Sequence, residues 1–120
     1  MSSLEVVHET GTDSATVRLM GELDISTADA LERLLAELGS ADGPARILID
    51  LSGLRFMDST GLRLLVTADL RLRDDGRQLR LIPGPDSVHR VFRLALLEDR
   101  LTFVDGGSNG DGSNVDEEDP

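Results

Sequence analysis

The feature that most constrains this chain is the run Arg46-Ile47-Leu48-Ile49-Asp50-Leu51, apolar almost throughout and rich in branched side chains. A strand with one solvated face alternates apolar and polar residues. A nearly continuous apolar run instead predicts a central strand, covered on at least one face. Ser52-Gly53 interrupts the run, and Leu54-Arg55-Phe56-Met57 then leads into Asp58-Ser59-Thr60-Gly61. Helical spacing follows from about Gly61 to Arg73, where Leu62, Leu65, Val66 and Leu64, Ala68, Leu72 fall on broad adjoining faces. A buried strand thus feeds a short polar turn, and the turn opens a helix.

The flanking segments extend this pattern. Leu4 to His8 reads as a short strand and Gly11-Thr12-Asp13 as a turn. Ala15 to Met20 reads as a second strand closing at Gly21, so the two predict a hairpin. Ser26 is the expected cap of a first helix, with Asp29 three residues on. Leu31, Leu34, Leu35 and Leu38 form its apolar stripe, and Gly39 ends it. The broader apolar faces after Gly61 predict a second helix more buried than this one. Asp74-Asp75-Gly76 is a turn, Gln78 to Ile82 a strand, and Pro83-Gly84-Pro85 a breaker. A third helix starts near Asp86 or Ser87, with Val88, Val91, Phe92 and Ala95 at helical spacing, and Leu101 to Val104 is a candidate last strand. Strands joined through helices favour parallel pairing by right-handed crossovers. The expected fold is a single α/β domain over residues 4–105, a mixed sheet of about four to five strands with helices packed on it. Residues 106–120 are Gly, Ser, Asn, Asp and Glu with Val115 the one apolar exception before a final proline, and are expected to form a disordered acidic tail.

Composition narrows the function classes. A net charge of −11 repels phosphate backbones and anionic lipids, arguing against direct nucleic-acid or membrane binding and for a protein partner with a basic patch. With no cysteine and two histidines, thiol chemistry is excluded and a multi-histidine metal site disfavoured. Three Phe, no Tyr and no Trp make no stacking platform. No apolar run reaches the roughly 20 residues of a membrane span, and the N-terminus lacks the basic-then-apolar pattern of a signal peptide, so a cytoplasmic protein is expected. No cofactor is called for.

The turn carries the chemistry. At a helix start, Asp58 or Ser59 reads first as a plain cap. The same geometry suits a phospho-acceptor, because Ser59 is placed toward free backbone amides and away from the core. A phosphate would add about −1.5 to −2 charge at pH 7, which a helix N-terminus tolerates. Switching would then act on binding and leave the fold intact. A nucleophilic serine would need a base and oxyanion donors. No Gly-x-Ser-x-Gly elbow occurs and nothing places His8 or His89 beside Ser59, so an enzyme is not expected. Asp50 has no partner carboxylate in the pattern and reads as a strand-end polar residue. Both histidines read as surface or half-buried structural residues.

Phe56-Met57-Asp58-Ser59-Thr60-Gly61-Leu62 resembles the signature of the STAS-domain family, in particular the anti-sigma-factor antagonists. Gly21-Glu22-Leu23-Asp24 with Ser26-Thr27-Ala28 resembles the family's strand-to-first-helix motif. Val91 to Leu97 resembles its late helix, without the usual glycine before the closing Leu. The resemblance covers roughly residues 4 to 105 and implies a non-enzymatic partner switch. The unphosphorylated protein would sequester an anti-sigma factor that is also a serine kinase, freeing the sigma factor. Phosphorylation at Ser59 would release it, and a phosphoserine phosphatase would reset it. Asp58, Ser59, Thr60 and Gly61 would form the docking turn, with Asp24 on the same face and Thr60 a weaker candidate acceptor. A monomer or weak dimer is implied. The alternative within the family is an accessory or scaffold subunit of a lipid-trafficking transporter or stress-signalling assembly. Fold alone does not decide between them.

Overall fold

The computed structural model describes residues 1–105, and the expected acidic tail, 106–120, lies outside them. Strands β1 (Leu4–Thr10) and β2 (Ser14–Leu23) are followed by α1 (Ala28–Leu38), β3 (Arg46–Met57), α2 (Ser59–Asp74), β4 (Gln78–Ile82) and α3 (Asp86–Leu94). The sheet order is β1-β2-β3-β4, antiparallel between β1 and β2 and parallel across the other two pairs. The hairpin and the parallel crossovers are those expected. β2 runs on through Gly21, whose φ of +112° and approach to the Ser3 carbonyl leave no room for a side chain.

One sheet face is buried. Ala15, Val17 and Leu19 of β2, Ile47, Ile49 and Leu51 of β3, and Leu79 and Leu81 of β4 line it. Thr16, Arg18, Leu48, Asp50 and Arg80 alternate onto the other face and are half-buried or exposed. All four predicted leucines of α1 reach the core. The expectation that α2 is more buried than α1 is overturned. α1 buries five of its 11 residues, while α2, 16 residues long, buries Gly61, Leu65, Asp69 and Leu72. Its adjoining leucines lie on the flanks of the helix, where Leu62, Leu64, Val66 and Ala68 are half-covered and Leu70 is exposed.

Two strand expectations also need correction. Ser52-Gly53 does not end β3; the strand absorbs it as irregular register, Arg18 facing Asp50 but Met20 facing Gly53. Asp50 therefore sits inside the strand at this bulge, where its Oδ1 accepts from the Ser52 amide at 2.9 Å and hydroxyl at 2.6 Å. The expected last strand, Leu101 to Val104, is one bridge between Leu81 and Phe103, with the Leu81 amide donating to the Thr102 carbonyl. β4 stops one residue later, and Pro83 has no amide hydrogen to continue a ladder. Phe103 instead packs edge-on against Phe92 and His89, with ring centroids at 5.0 and 4.8 Å. His89 is half-buried and His8 exposed, both as expected.

α3 ends in a Schellman turn. The Leu97 amide donates to the Phe92 carbonyl at 2.9 Å and the Leu96 amide to that of Arg93 at 3.0 Å. This places Leu96, a non-glycine residue, at φ +60°.

Candidate functional site

Parallel pairing points the C-terminal ends of β2 and β3 the same way. Leu23 pairs with Met57 at those ends, and the Asp58 amide donates to the Leu23 carbonyl at 3.2 Å. The register therefore brings the Asp24 loop and the Asp58 turn side by side, uniting two segments 34 positions apart in the sequence.

Asp58 caps α2. Its backbone is extended, and its Oδ1 accepts from the amides of Thr60 at 2.9 Å and Gly61 at 3.3 Å. The Leu62 amide donates to the Asp58 carbonyl at 3.2 Å. The expectation that Ser59 would face free amides is thus corrected: Asp58 occupies them. Ser59 is the first helical residue, solvent-exposed, and its hydroxyl makes no hydrogen bond among the described residues. Thr60 is half-buried and lines a groove of about 380 Å³ between α1 and α2. Gly61 is buried; a Cβ there would meet Leu23 and Met57 side-chain atoms at 2.7–2.8 Å. Its place in the turn is set by this close approach of helix to sheet.

Asp24 organises the neighbouring loop. Its Oδ2 accepts from the Ser2 hydroxyl at 2.5 Å, and its Oδ1 from the Ser26 amide at 2.9 Å and hydroxyl at 2.7 Å. These donors, Ser2 first and then Ser26, hold the Asp24 carboxyl below the usual carboxylate range. Glu22 is lowered as well, first by the Ser3 amide and then by Arg55. Ser26, the expected cap of α1, bonds to Asp24 instead. Thr27 holds the cap position, but its hydroxyl turns back to accept from the Asp24 amide at 3.0 Å and donate to the Glu22 carbonyl at 2.8 Å. Short polar side chains at a strand-to-helix loop can bond forward or backward, and here both bond backward.

Sequence reading missed the apolar and cationic parts of this face. Ile25, 77% exposed, lines the groove with Thr60, Leu64 and Arg63, and Phe56 is 49% exposed two residues before Asp58. The available signal was an apolar residue on each side of the site that neither the strand nor the helix period claims. Among the described residues no helix is long and apolar enough to cross a membrane.

Residues 7–104 match the family model described as "Mlab, STAS domain". The anti-sigma-B factor antagonist of Staphylococcus aureus (strain NCTC 8325 / PS 47) is 32% identical over 90 residues, covering 75% of this chain and 82% of that protein. The anti-sigma-F factor antagonist RsfB of Mycobacterium tuberculosis (strain CDC 1551 / Oshkosh) is 33% identical over 105 residues, covering 78% of this chain and 83% of that one. The crystal structure of an anti-sigma factor antagonist from Mycobacterium paratuberculosis superposes with a TM-score of 0.75 at 26% identity, over 83% of this chain and 84% of that chain. A match that spans nearly the whole described fold, with sequence relatives and a solved structure all named as antagonists of anti-sigma factors, places this chain in the STAS-domain family.

Proposed function

We propose that the chain is an anti-sigma factor antagonist whose binding is switched by phosphorylation of Ser59. The unphosphorylated form binds and sequesters an anti-sigma factor that is also a serine kinase, and the sigma factor goes free. Phosphate on Ser59 ends that binding, and a phosphoserine phosphatase restores it. The observation that carries this reading is the Ser59 hydroxyl, exposed and unbonded among the described residues, beside a cap that Asp58 supplies instead. A serine needed for capping would lose the cap on modification; this one is spare. Asp24, Asp58, Thr60 and the exposed Ile25 surround it and form the docking face, while Gly61 contributes by letting the turn sit close to the sheet. The protein acts in the cytoplasm as a monomer or weak dimer, with no catalysis of its own.

The test mixes purified protein with candidate anti-sigma serine kinases of the same genome, ATP and magnesium, and records intact mass and modified position. One phosphate on Ser59, absent in Ser59→Ala, with weaker kinase binding after modification, is the expected result. No phosphate and no binding to any such kinase would overturn the reading in favour of an accessory or scaffold role.

A further inference from the structure

The helix amides next to Ser59 are taken. Those of Thr60, Gly61 and Leu62 all donate to Asp58. A phosphate on Ser59 would also stand beside the Asp58 carboxylate, with Asp24 on the adjacent loop and Asp29 and Glu32 on α1 across the groove. A nearby cation would stabilise such a dianion, and Arg63 is the one arginine within a turn of it in α2. Ser59 and Arg63 are four residues apart on one helix, which makes them surface neighbours with Cβ atoms about 5–6 Å apart. Helical Cα–Cβ bonds tilt toward the N-terminus, so the Arg63 side chain leans back toward Ser59. Both residues are exposed, and α2 has no acidic residue in its first turn. Three other arginines are engaged: Arg55 with Glu22, Arg73 with Asp69, and Arg77 with the carbonyls of Leu38 and Ser40. Arg63 has no hydrogen bond or ion pair among the described residues, although Asp29 and Glu32 line the same groove.

We propose that Arg63 is the intramolecular counter-ion of a phosphate carried by Ser59. The guanidinium swings one turn back and takes the phosphate oxygens by charge-assisted hydrogen bonds. Before modification the same guanidinium stands in the groove between α1 and α2, available to an acidic group of the partner. Phosphorylation then does two things at the docking face in one step: it adds an anion and withdraws a cation. This inference rests on Ser59 being the acceptor.

The experiment uses the full chain with phosphoserine genetically encoded at position 59, so that it does not depend on any kinase. Phosphorus NMR follows the second ionisation of the phosphate in this protein and in versions carrying Arg63→Gln or Arg71→Gln. Arg71 lines the same groove two turns further on and serves as the control. The fixed carboxylates act equally on all three, so the difference isolates the arginine. An exposed pair at this spacing should lower the second pKa by about 0.3 units relative to Arg63→Gln, with Arg71→Gln matching the parent. The difference should shrink in high salt. Equal pKa values in the parent and Arg63→Gln would overturn the proposal, as would an equal shift from Arg71→Gln. Failure of the kinase experiment above leaves this result untouched, and this result says nothing for the kinase, so the two readings fall separately.

Discussion

Gly61 and Leu96 hold opposite relations between side chain and backbone. At Gly61 the conformation is ordinary but the space is gone: a methyl group would press on Leu23 and Met57, themselves 0% and 2% exposed. Neither neighbour can move without disturbing the sheet ends that carry Asp24 and Asp58. Gly61→Ala should therefore cost about 1–3 kcal/mol, the range for overpacking a full core. Denaturant unfolding should show a lower midpoint at unchanged slope. Leu96 reverses the case. It has space, being 84% exposed, but stands at φ +60° in the position of a Schellman turn that glycine usually fills. An L residue there loses roughly 1–2 kcal/mol, and glycine recovers most of it less its own chain entropy. Leu96→Gly should thus stabilise the fold by about 0.5–1 kcal/mol, read as a midpoint shift to higher denaturant. The family's late-helix pattern expects glycine just before Leu97, so the departure was visible in the sequence. Its conformational consequence was not, because a leucine in a leucine-rich stretch reads as one more helical apolar residue.

At the level of elements, the start of α2 separates two roles that the sequence had left merged. Asp58 and Ser59 are both cap formers, and the pattern alone allowed either to hold the amides. The structure gives the cap to Asp58 and leaves Ser59 outside it. Removal of the Asp58 side chain by Asp58→Ala should cost about 1 kcal/mol of stability. Ser59→Ala, at an exposed position with no bond to lose among the described residues, should stay within about 0.5 kcal/mol of the parent. Thermal unfolding of the two variants side by side checks both, and equal losses would mean that the serine shares the cap. The elements themselves were legible wherever hydrophobic period decided them: the hairpin, the four leucines of α1, the central strand and β4. They were misread where a bond that the hydrophobic period does not encode decided. Ser26 and Thr27 gave up the cap of α1 to bond the Asp24 loop, Gly53 joined a strand through its pairing with Met20, and Pro83 cut short the pairing of Leu101 to Val104. Flank coverage of α2 depended likewise on where α1 and α3 came to lie.

For the molecule as a whole, the site exists because parallel strands end together. The Asp24 loop and the Asp58 turn are each recognisable as a motif, but the Leu23–Met57 pairing makes them one face, and no local pattern in the chain encodes that pairing. A third segment joins them there. Ser2 donates to Asp24, Ser3 donates its amide to Glu22 and accepts from the Glu22 amide at 2.8 Å, so the first residues strap the loop to the sheet. The strap should give the fold an acid-sensitive end. Asp24 and Glu22 both titrate below their ordinary range in the folded protein, so the unfolded chain binds protons first as pH falls. Their stabilising effect is complete above the unfolded carboxylate values and is lost as pH drops through the lowered folded ones, a window below roughly pH 4. Amide hydrogen exchange at Glu22 and Ser26 should accelerate in that window ahead of the core strands. In Asp24→Asn the carboxylate is gone, so the acid-dependent part of the Ser26 protection should be missing while the core still melts at its parental pH. If exchange at Ser26 in Asp24→Asn kept the parental acid dependence, the strap would owe nothing to the Asp24 charge. If it lost that dependence and the Ser59 turn stayed protected, the two halves of the proposed docking face would prove separable, with the loop titrating on its own and the turn held by the sheet.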